Sequence, residues 1–411
     1  MTLIVFMFII ALISVLLNRK RLLTAFGLFY IGAIIFVLIG WLSSYKLADE
    51  MYILNGDVQP LLNIVPNIVV FFIIAIIFWL SPHIQTKEKN IGRKHLNSAI
   101  FIKKKTNYFV YFTFVLTLFF LAIINIGDAP LFNIGRYTVS EMAYYRNEIF
   151  SNGLVSKLNV VRYILLYLLI PLCFFLKATG LKRILLIDFV FIIFSTLTLS
   201  KTAIVLVIAF YFSGKFLKYR KIRYVLFAVF SVVLAFYFIV YFTYYVDVRR
   251  SFNDVFKVLY IRLIATPIAL SAVYSNIFDF HQGYRSSVYY TYIFGGDFAR
   301  IAVMAMQHIV PSSGGNAPTG FIGMAYSNIP KPFHWFYYLV IVVYMYIFSN
   351  LIELIKNYTL KYVFVFFLGI LSWFFFLTEP LVVLNSYGVL YVCGIVIIVL
   401  AFQNQRFKRL R

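Results

Sequence analysis

Two stretches of this 411-residue chain bring arginine together with carboxylate and imidazole side chains. In residues 127–158, Arg136 and Arg146 run beside Glu141, Tyr144, Tyr145 and Glu148. In the longer stretch from Asp247 to Pro332, Arg249, Arg250, Lys257, Arg262, Arg285 and Arg300 accompany His281, Asp297 and His308, with His334 just beyond. A guanidinium is a planar fork that holds phosphate oxygens bidentately and stays charged at any working pH. A carboxylate or imidazole can take the proton from an attacking hydroxyl. The chemistry these residue types fit is neutralisation of a phosphate anion beside a general base. Arg146, Arg249, Arg250, Arg262, Arg285 and Arg300 are the candidate cations, and Glu148, Glu141, His281 and Asp297 the candidate bases. A plainer reading runs alongside. Glu141 and Tyr145 share one helix face, as do Tyr144 and Glu148, so this segment also reads as an amphipathic surface helix. Cations at a membrane face also serve as lipid headgroup contacts.

The chain offers no Asp-x-Asp pair in these stretches, no His/Cys/Asp cluster at metal-ligand spacing and no Gly-x-Ser-x-Gly. Cys173 and Cys393 both fall in apolar runs, so neither a disulfide framework nor a metal site is expected. No metal and no cofactor is therefore expected, and the arginines must carry the charge neutralisation.

The elements that must position these residues are apolar. Hydrophobic residues make up 63% of the chain and charged ones only 12%, which places it among integral membrane proteins. The apolar runs are long and unbroken, so helices rather than barrel strands are expected. By length and apolarity, about eleven spans are expected: 2–17, 22–42, 61–80, 108–126, 159–176, 184–200, 201–213, 224–246, 335–355, 362–378 and 381–402. Thr2–Leu17 precedes its basic cluster and lacks a small-residue cleavage site, which reads as a span rather than a signal peptide.

The net charge of +23 is explained by topology. Most of the Lys and Arg residues fall in one set of alternate loops: Arg19–Arg21, Lys87–Lys105, Lys177–Arg183, Lys215–Arg223, Lys356–Lys361 and the tail Arg406–Arg411. Asp49, Glu50, Asp57, Asp128, Glu141, Glu148, Asp247 and Asp297 fall on the other side. The positive-inside rule then puts the N-terminus outside and the C-terminus in the cytoplasm, with no nucleic-acid partner. The expected architecture is an all-α polytopic membrane protein, a single integral domain over 1–411, with outward loops at 127–158 and 247–334. Within the larger loop, Leu263–Phe278 and Ile301–Val310 are expected to be interfacial or re-entrant helices, the alternative being a paired crossing by 263–278 and 287–310. Asp188, Lys201, Arg162 and Glu379 lie near span ends, where a charge can snorkel to the headgroups. No internal repeat of broken helices marks an inverted-repeat transporter.

Several motifs resemble the bacterial oligosaccharide repeat unit polymerases, the Wzy-type O-antigen polymerases. They are Gly127-Asp128-Ala129-Pro130-Leu131-Phe132, Tyr145-Arg146 with Gly153, Leu199-Ser200-Lys201-Thr202, Arg262 to Pro267, and Asn316 to Tyr326. The two outward loops, the second larger, also resemble that family's layout. Two departures stand out. Lys201 occupies a position where the family commonly has arginine, and within the two outward loops an Arg-x10-Gly spacing occurs once, at Arg285–Gly296 and not in 127–158.

The resemblance implies metal-independent glycosyl transfer on the outer face of a bacterial cytoplasmic membrane. A growing glycan on undecaprenyl diphosphate would pass to a new lipid-linked repeat, giving O-antigen or capsule-type polysaccharide. Lys201, Asn316 and Tyr326 would join the arginines as substrate-binding residues. Expected partners are the lipid-linked oligosaccharide and membrane lipids, with a chain-length regulator and a flippase beside them. The competing expectations are a ligase-like transferase of lipid-linked glycan and a polysaccharide flippase or transporter.

Overall fold

The computed structural model describes residues 1–51, 53–82, 100–137, 141, 145, 148–150, 153, 157–180, 184–197, 199, 201–219, 221, 223–243, 257, 260–309, 319–378, 383–384 and 389–408. The fold is that of an all-α membrane protein. In chain order the main helices are α1 (Thr2–Leu17), α2 (Ala25–Lys46), α3 (Gln59–Leu80), α4 (Ile100–Ile123), α5 (Val161–Thr179), α6 (Leu185–Thr196), α7 (Lys201–Tyr219) and α8 (Arg223–Thr243). Then come α9 (Thr266–Ile277), strand β1 (Tyr284–Arg285), α10 (Val288–Phe294), strand β2 (Asp297–Phe298), α11 (Ile301–Ile309) and α12 (Phe321–Asn328). The chain closes with α13 (His334–Glu353), α14 (Tyr358–Leu371) and α15 (Val389–Lys408).

Among the described residues, α2, α3, α5 and Lys331–Glu353 are long and apolar enough to cross a membrane. Shorter apolar helices lie at Thr2–Leu17, Asn107–Ile123, Leu185–Thr196, Arg223–Ile239, Leu360–Phe376 and Val392–Ala401. Large apolar side chains face outward on these helices: Phe6, Ile9, Ile13 and Leu16 on α1, Phe112, Val115 and Phe119 on α4, Leu226 and Phe230 on α8. Water would not tolerate that much contiguous apolar surface, whereas lipid tails require it.

The chain divides into two compact units. The first comprises Met1–Gln85, Tyr260–Asn385 and Val389–Arg411. Its core is aromatic, with Tyr30 stacked on Trp79 at 4.9 Å and Phe71 meeting Phe321 at 5.0 Å. Both buried indoles find a backbone acceptor, Trp79 Nε1 donating to Ser14 O at 2.7 Å and Trp41 Nε1 to Leu61 O at 2.8 Å, and the half-buried Trp373 Nε1 donates to Leu28 O at 2.7 Å. An indole N–H left unpaired in an apolar interior would cost several kcal/mol by order of magnitude, so these bonds fix helix register. Arg21, in the short basic turn after α1, donates to the carbonyls of Phe78, Trp79 and Ser81. Those carbonyls lie at the C-terminal end of α3, where the last turn lacks intrahelical donors and the dipole favours a cation. Lys361 pairs with Glu353 at 2.5 Å, joining α14 to α13.

The stretch 263–278 is not a surface helix. Residues Pro267–Tyr274 of α9 are all buried inside the first unit. Ser44 Oγ on α2 donates to Ala265 O at 2.8 Å, and Ser271 Oγ shares a hydrogen bond of 2.6 Å with Thr319 Oγ1. Gly323 on α12 allows the closest approach, since a Cβ there would lie 2.8 Å from Ser271 Cα. A π-helical turn, Ile261–Ala265, leads into α9, and its last residue, Ala265, is buried. The described residues 287–309 of the segment 287–310 form two short helices, α10 and α11, with a strand between them, and neither helix has the length to cross.

The second unit comprises Thr86–Leu259 and Ser386–Gly388. Here α5, α7 and α8 pack in succession, and α4 lies along α6. Gly214 lets α7 press against α5, because a Cβ there would sit 2.7 Å from Phe175 O. Asp188 at the start of α6 pairs with the buried Lys177 at the end of α5. The Lys177 ammonium also lies 5.2 Å from the Phe191 ring centre. Asp188 is therefore held by an ion pair rather than snorkelling.

Candidate functional site

The larger cluster of candidate residues folds into a small βαβ unit. Its first piece is a 3-10 turn, Phe280–Gln282, whose N-cap Asp279 accepts from His281 N at 3.2 Å while Gln282 Oε1 accepts from Asp279 N at 3.3 Å. This capping box fixes the backbone of His281. β1 then pairs in parallel with β2, Tyr284 opposite Asp297 and Arg285 opposite Phe298, with α10 as the crossover. Asp297 N donates to Gly283 O and Ala299 N to Arg285 O, both at 2.8 Å.

Gly296, with φ +93°, packs so tightly that a Cβ would stand 2.1 Å from Gly283 O. The Arg285-x10-Gly296 spacing thus has a physical meaning. Ten intervening residues make one short crossover, and the glycine admits the strand that carries the arginine.

Arg285 itself points inward and is 2% exposed. Its Nη1 donates to Phe280 O at 3.0 Å, Tyr284 O at 2.9 Å and Ser327 O at 3.0 Å, and its guanidinium carbon lies 3.9 Å from the Phe280 ring centre. Burial disfavours the charged form and lowers the arginine's pKa from its ordinary value. A guanidinium stacked on a ring and spent on backbone carbonyls positions the loop. Direct contact with a diphosphate, expected from the sequence, does not suit it.

Asn328, at the end of α12, closes the unit from the other side. It is fully buried, accepts from Ser286 N at 2.8 Å, and donates to Ser286 Oγ at 2.8 Å and to Met324 O at 3.0 Å. Arg285 and Asn328 together tie the βαβ unit to α12 across more than forty residues of chain. On α11, Ile301 and Ala305 join Leu270, Tyr274, Phe278 and Met324 in one apolar cluster, so that helix is packed onto α9 and α12. His281, Asp297 and Arg300 all remain exposed on the clamped unit. Tyr326 is buried, and Asn67 donates to its hydroxyl. Burial pushes its pKa up to about 12. His334, also buried, has its Nε2 3.0 Å from Ile329 O and its ring edge-on to Tyr326. Arg262 falls in the π-helical turn Ile261–Ala265. Arg249, Arg250 and Asn316 lie outside the described residues.

The second unit joins two other motifs. Leu131 N donates to Leu197 O at 3.1 Å, which docks the Gly127–Phe132 stretch onto the turn before Lys201. Asn133 Nδ2 braces that stretch by donating to Gly127 O at 2.7 Å and Ala129 O at 3.1 Å. In the turn, Leu199 adopts φ +50°, a left-handed conformation that a branched side chain avoids. Such strain costs on the order of 1–3 kcal/mol and persists where packing over-determines it. Leu199 is held by a small apolar cluster with Ile239, Leu131, Ile134 and Tyr137. The strained turn sets Lys201 as the first residue of α7. Glu141 is exposed and Glu148 half-buried in the same unit. Arg146 lies outside the described residues, as does Glu379.

Sequence reasoning passed over two residues. Asn328 stands two positions beyond the Asn316–Tyr326 motif, with no local signal for its partner Ser286, the residue after β1. Arg162 was expected to snorkel, yet it is buried, 4.0 Å from the Phe150 ring centre and 4.6 Å from that of Tyr163. Among the described residues, no three His, Cys, Asp or Glu side chains gather as metal ligands. Compared with known proteins, the chain matches no family model, no curated protein and no solved structure.

Proposed function

We propose that this chain is a membrane glycosyltransferase that polymerises lipid-linked oligosaccharide repeat units. Its substrate is a glycan on undecaprenyl diphosphate, and its site faces outward from a bacterial cytoplasmic membrane. The fold behind this reading has about eleven spans with the N-terminus outside. The observation that carries it is the clamped βαβ unit. Arg285 and Gly296, at the spacing that resembles the polymerases, hold together a unit that leaves His281, Asp297 and Arg300 exposed. An arrangement of this kind supports chemistry at a loop surface. Transport through the bundle is supported less, because two of the cations within the described helices are already engaged, Lys177 by Asp188 and Arg162 by aromatic rings.

In the proposed step the acceptor sugar hydroxyl attacks the anomeric carbon of the donor glycan. The bond from that carbon to the diphosphate oxygen breaks, and its electron pair leaves with the diphosphate. The candidate cations that lower the barrier as negative charge builds on the leaving group are Arg300 and Arg262 in the first unit, and Arg146, Arg249 and Arg250 in the second. The candidate acceptors of the hydroxyl proton are Asp297 and His281 in the first unit, and Glu148 and Glu141 in the second.

Deleting the gene and separating the surface glycan on a gel tests this reading. A collapse of the ladder to a single repeat is expected. Loss of all glycan from the acceptor instead means a ligase or flippase. The variants Arg146→Ala and Arg300→Ala should each reduce the ladder while membrane levels of the protein hold. A full ladder from both removes these arginines from the mechanism.

A further inference from the structure

The crossover helix α10 carries the sequence Val-Tyr-Tyr-Thr-Tyr-Ile-Phe without a charge. Val288, Tyr289, Tyr292 and Ile293 are all exposed, Tyr292 at 92%, and Phe298 on β2 adds another exposed ring. A helix this apolar on a water-facing loop needs an occupant. A hydrogen bond of 3.2 Å between the hydroxyls of Tyr290 and Tyr337 joins this helix to α13. Tyr337 lies in the first turn of α13, within the span Lys331–Glu353. The neighbouring Trp335 and Phe336 are exposed, and Val340 continues that outward face down the span. Tyr and Trp gather where the headgroups meet the acyl chains, because their rings are apolar and their tips polar.

We infer that α10 is a membrane-interface anchor, its Val288, Tyr289, Tyr292 and Ile293 side chains seated in the lipid of the same bilayer that α13 crosses. The apolar surface of α13 at Trp335, Phe336 and Val340 is continuous with it through the Tyr290–Tyr337 contact. An anchor here fixes the height of the βαβ unit, and so of His281, Asp297 and Arg300, relative to the lipid phosphates. The inference rests on membrane embedding alone and stands whether or not the chain is a polymerase.

Site-directed spin labelling of the full chain tests it, in nanodiscs of phosphatidylethanolamine and phosphatidylglycerol. A nitroxide at Tyr292→Cys is compared with one at Asp57→Cys, an exposed loop position, and one at Val340→Cys on the apolar face of α13. The native Cys173 and Cys393 are buried and free. The expected label at 292 is more accessible to oxygen than to a water-soluble nickel chelate, at a depth of about 5–10 Å below the phosphates. Nickel accessibility like that at 57 means the helix stands in water and overturns the inference. Protection from both reagents overturns it too, since that places protein or bound glycan on the helix instead of lipid. Tyr292 has almost no contacts to lose, so the label reports on surroundings and not on damage to the fold.

Discussion

Replacing Arg285 with alanine should loosen the βαβ unit before it touches any chemistry. The guanidinium is 2% exposed and serves the carbonyls of Phe280, Tyr284 and Ser327 from one nitrogen, over the face of Phe280. Removing it leaves those acceptors short of a donor and opens a void beside the ring. A hydrogen bond from a charged donor is worth about 1.5–3 kcal/mol, and three acceptors sharing one nitrogen count for fewer than three such bonds. With the lost packing, a local destabilisation of about 3–5 kcal/mol follows. Since each 1.36 kcal/mol is tenfold, the opening equilibrium should shift by about 100-fold or more.

Hydrogen exchange read by mass spectrometry in nanodiscs measures this shift directly. The amides of Ser286, Asp297 and Ala299 are the reporters, because each donates a 2.8 Å bond, the first to Asn328 on α12 and the other two within the unit. Arg285→Lys keeps the charge but loses the planar stack and fork, and should fall between wild type and alanine. If Arg285→Ala abolishes glycan polymer while those amides exchange at the wild-type rate, the positioning role is wrong. Arg285 would then contact substrate.

Gly296→Ala should damage the unit more than Gly283→Asn. The first combines φ +93° with a Cβ 2.1 Å from Gly283 O, whereas the second has φ +81° and open space, and asparagine tolerates the left-handed region. Exchange at Asp297 is the readout, and equal effects would refute the close-approach argument. In the second unit, Lys177→Met should lower thermal stability by about 3–5 kcal/mol by leaving Asp188 unpaired, and adding Asp188→Leu should recover much of that. Melting in nanodiscs checks it, and a double variant no more stable than the single one counts against a buried pair.

The helices were legible in the sequence because hydropathy is a local quantity. Span 61–80 corresponds to α3 and span 335–355 to α13, within the few residues by which helix ends vary. The reading faltered where apolarity had two physical explanations. Within Leu263–Phe278 the run Pro267–Tyr274 is apolar because it is buried in protein, and no pattern along the chain separates that from a helix lying on the membrane surface. The candidate site was half legible. Arg285 and Gly296 stood out by spacing, but the reason for the spacing is a two-residue parallel bridge with no strand signature of its own. Asn328 was invisible because its partner, Ser286, is 42 residues away and the contact follows no periodicity.

Burial, more than charge, sorts the arginines. A guanidinium within reach of backbone carbonyls at a helix end or a strand start is a structural part, as Arg21 is at the end of α3 and Arg285 is in β1. Arg162, buried between the rings of Phe150 and Tyr163, is held by aromatic faces. Each is expensive to desolvate and would not be released to neutralise a substrate. Arg300 is exposed, as are Asp297 and His281, on a unit tied to α12 by Arg285 and Asn328. A loop that spends one buried arginine on its own backbone leaves a second free to face solvent. On the proposed function, that second arginine would stabilise charge developing on a diphosphate leaving group.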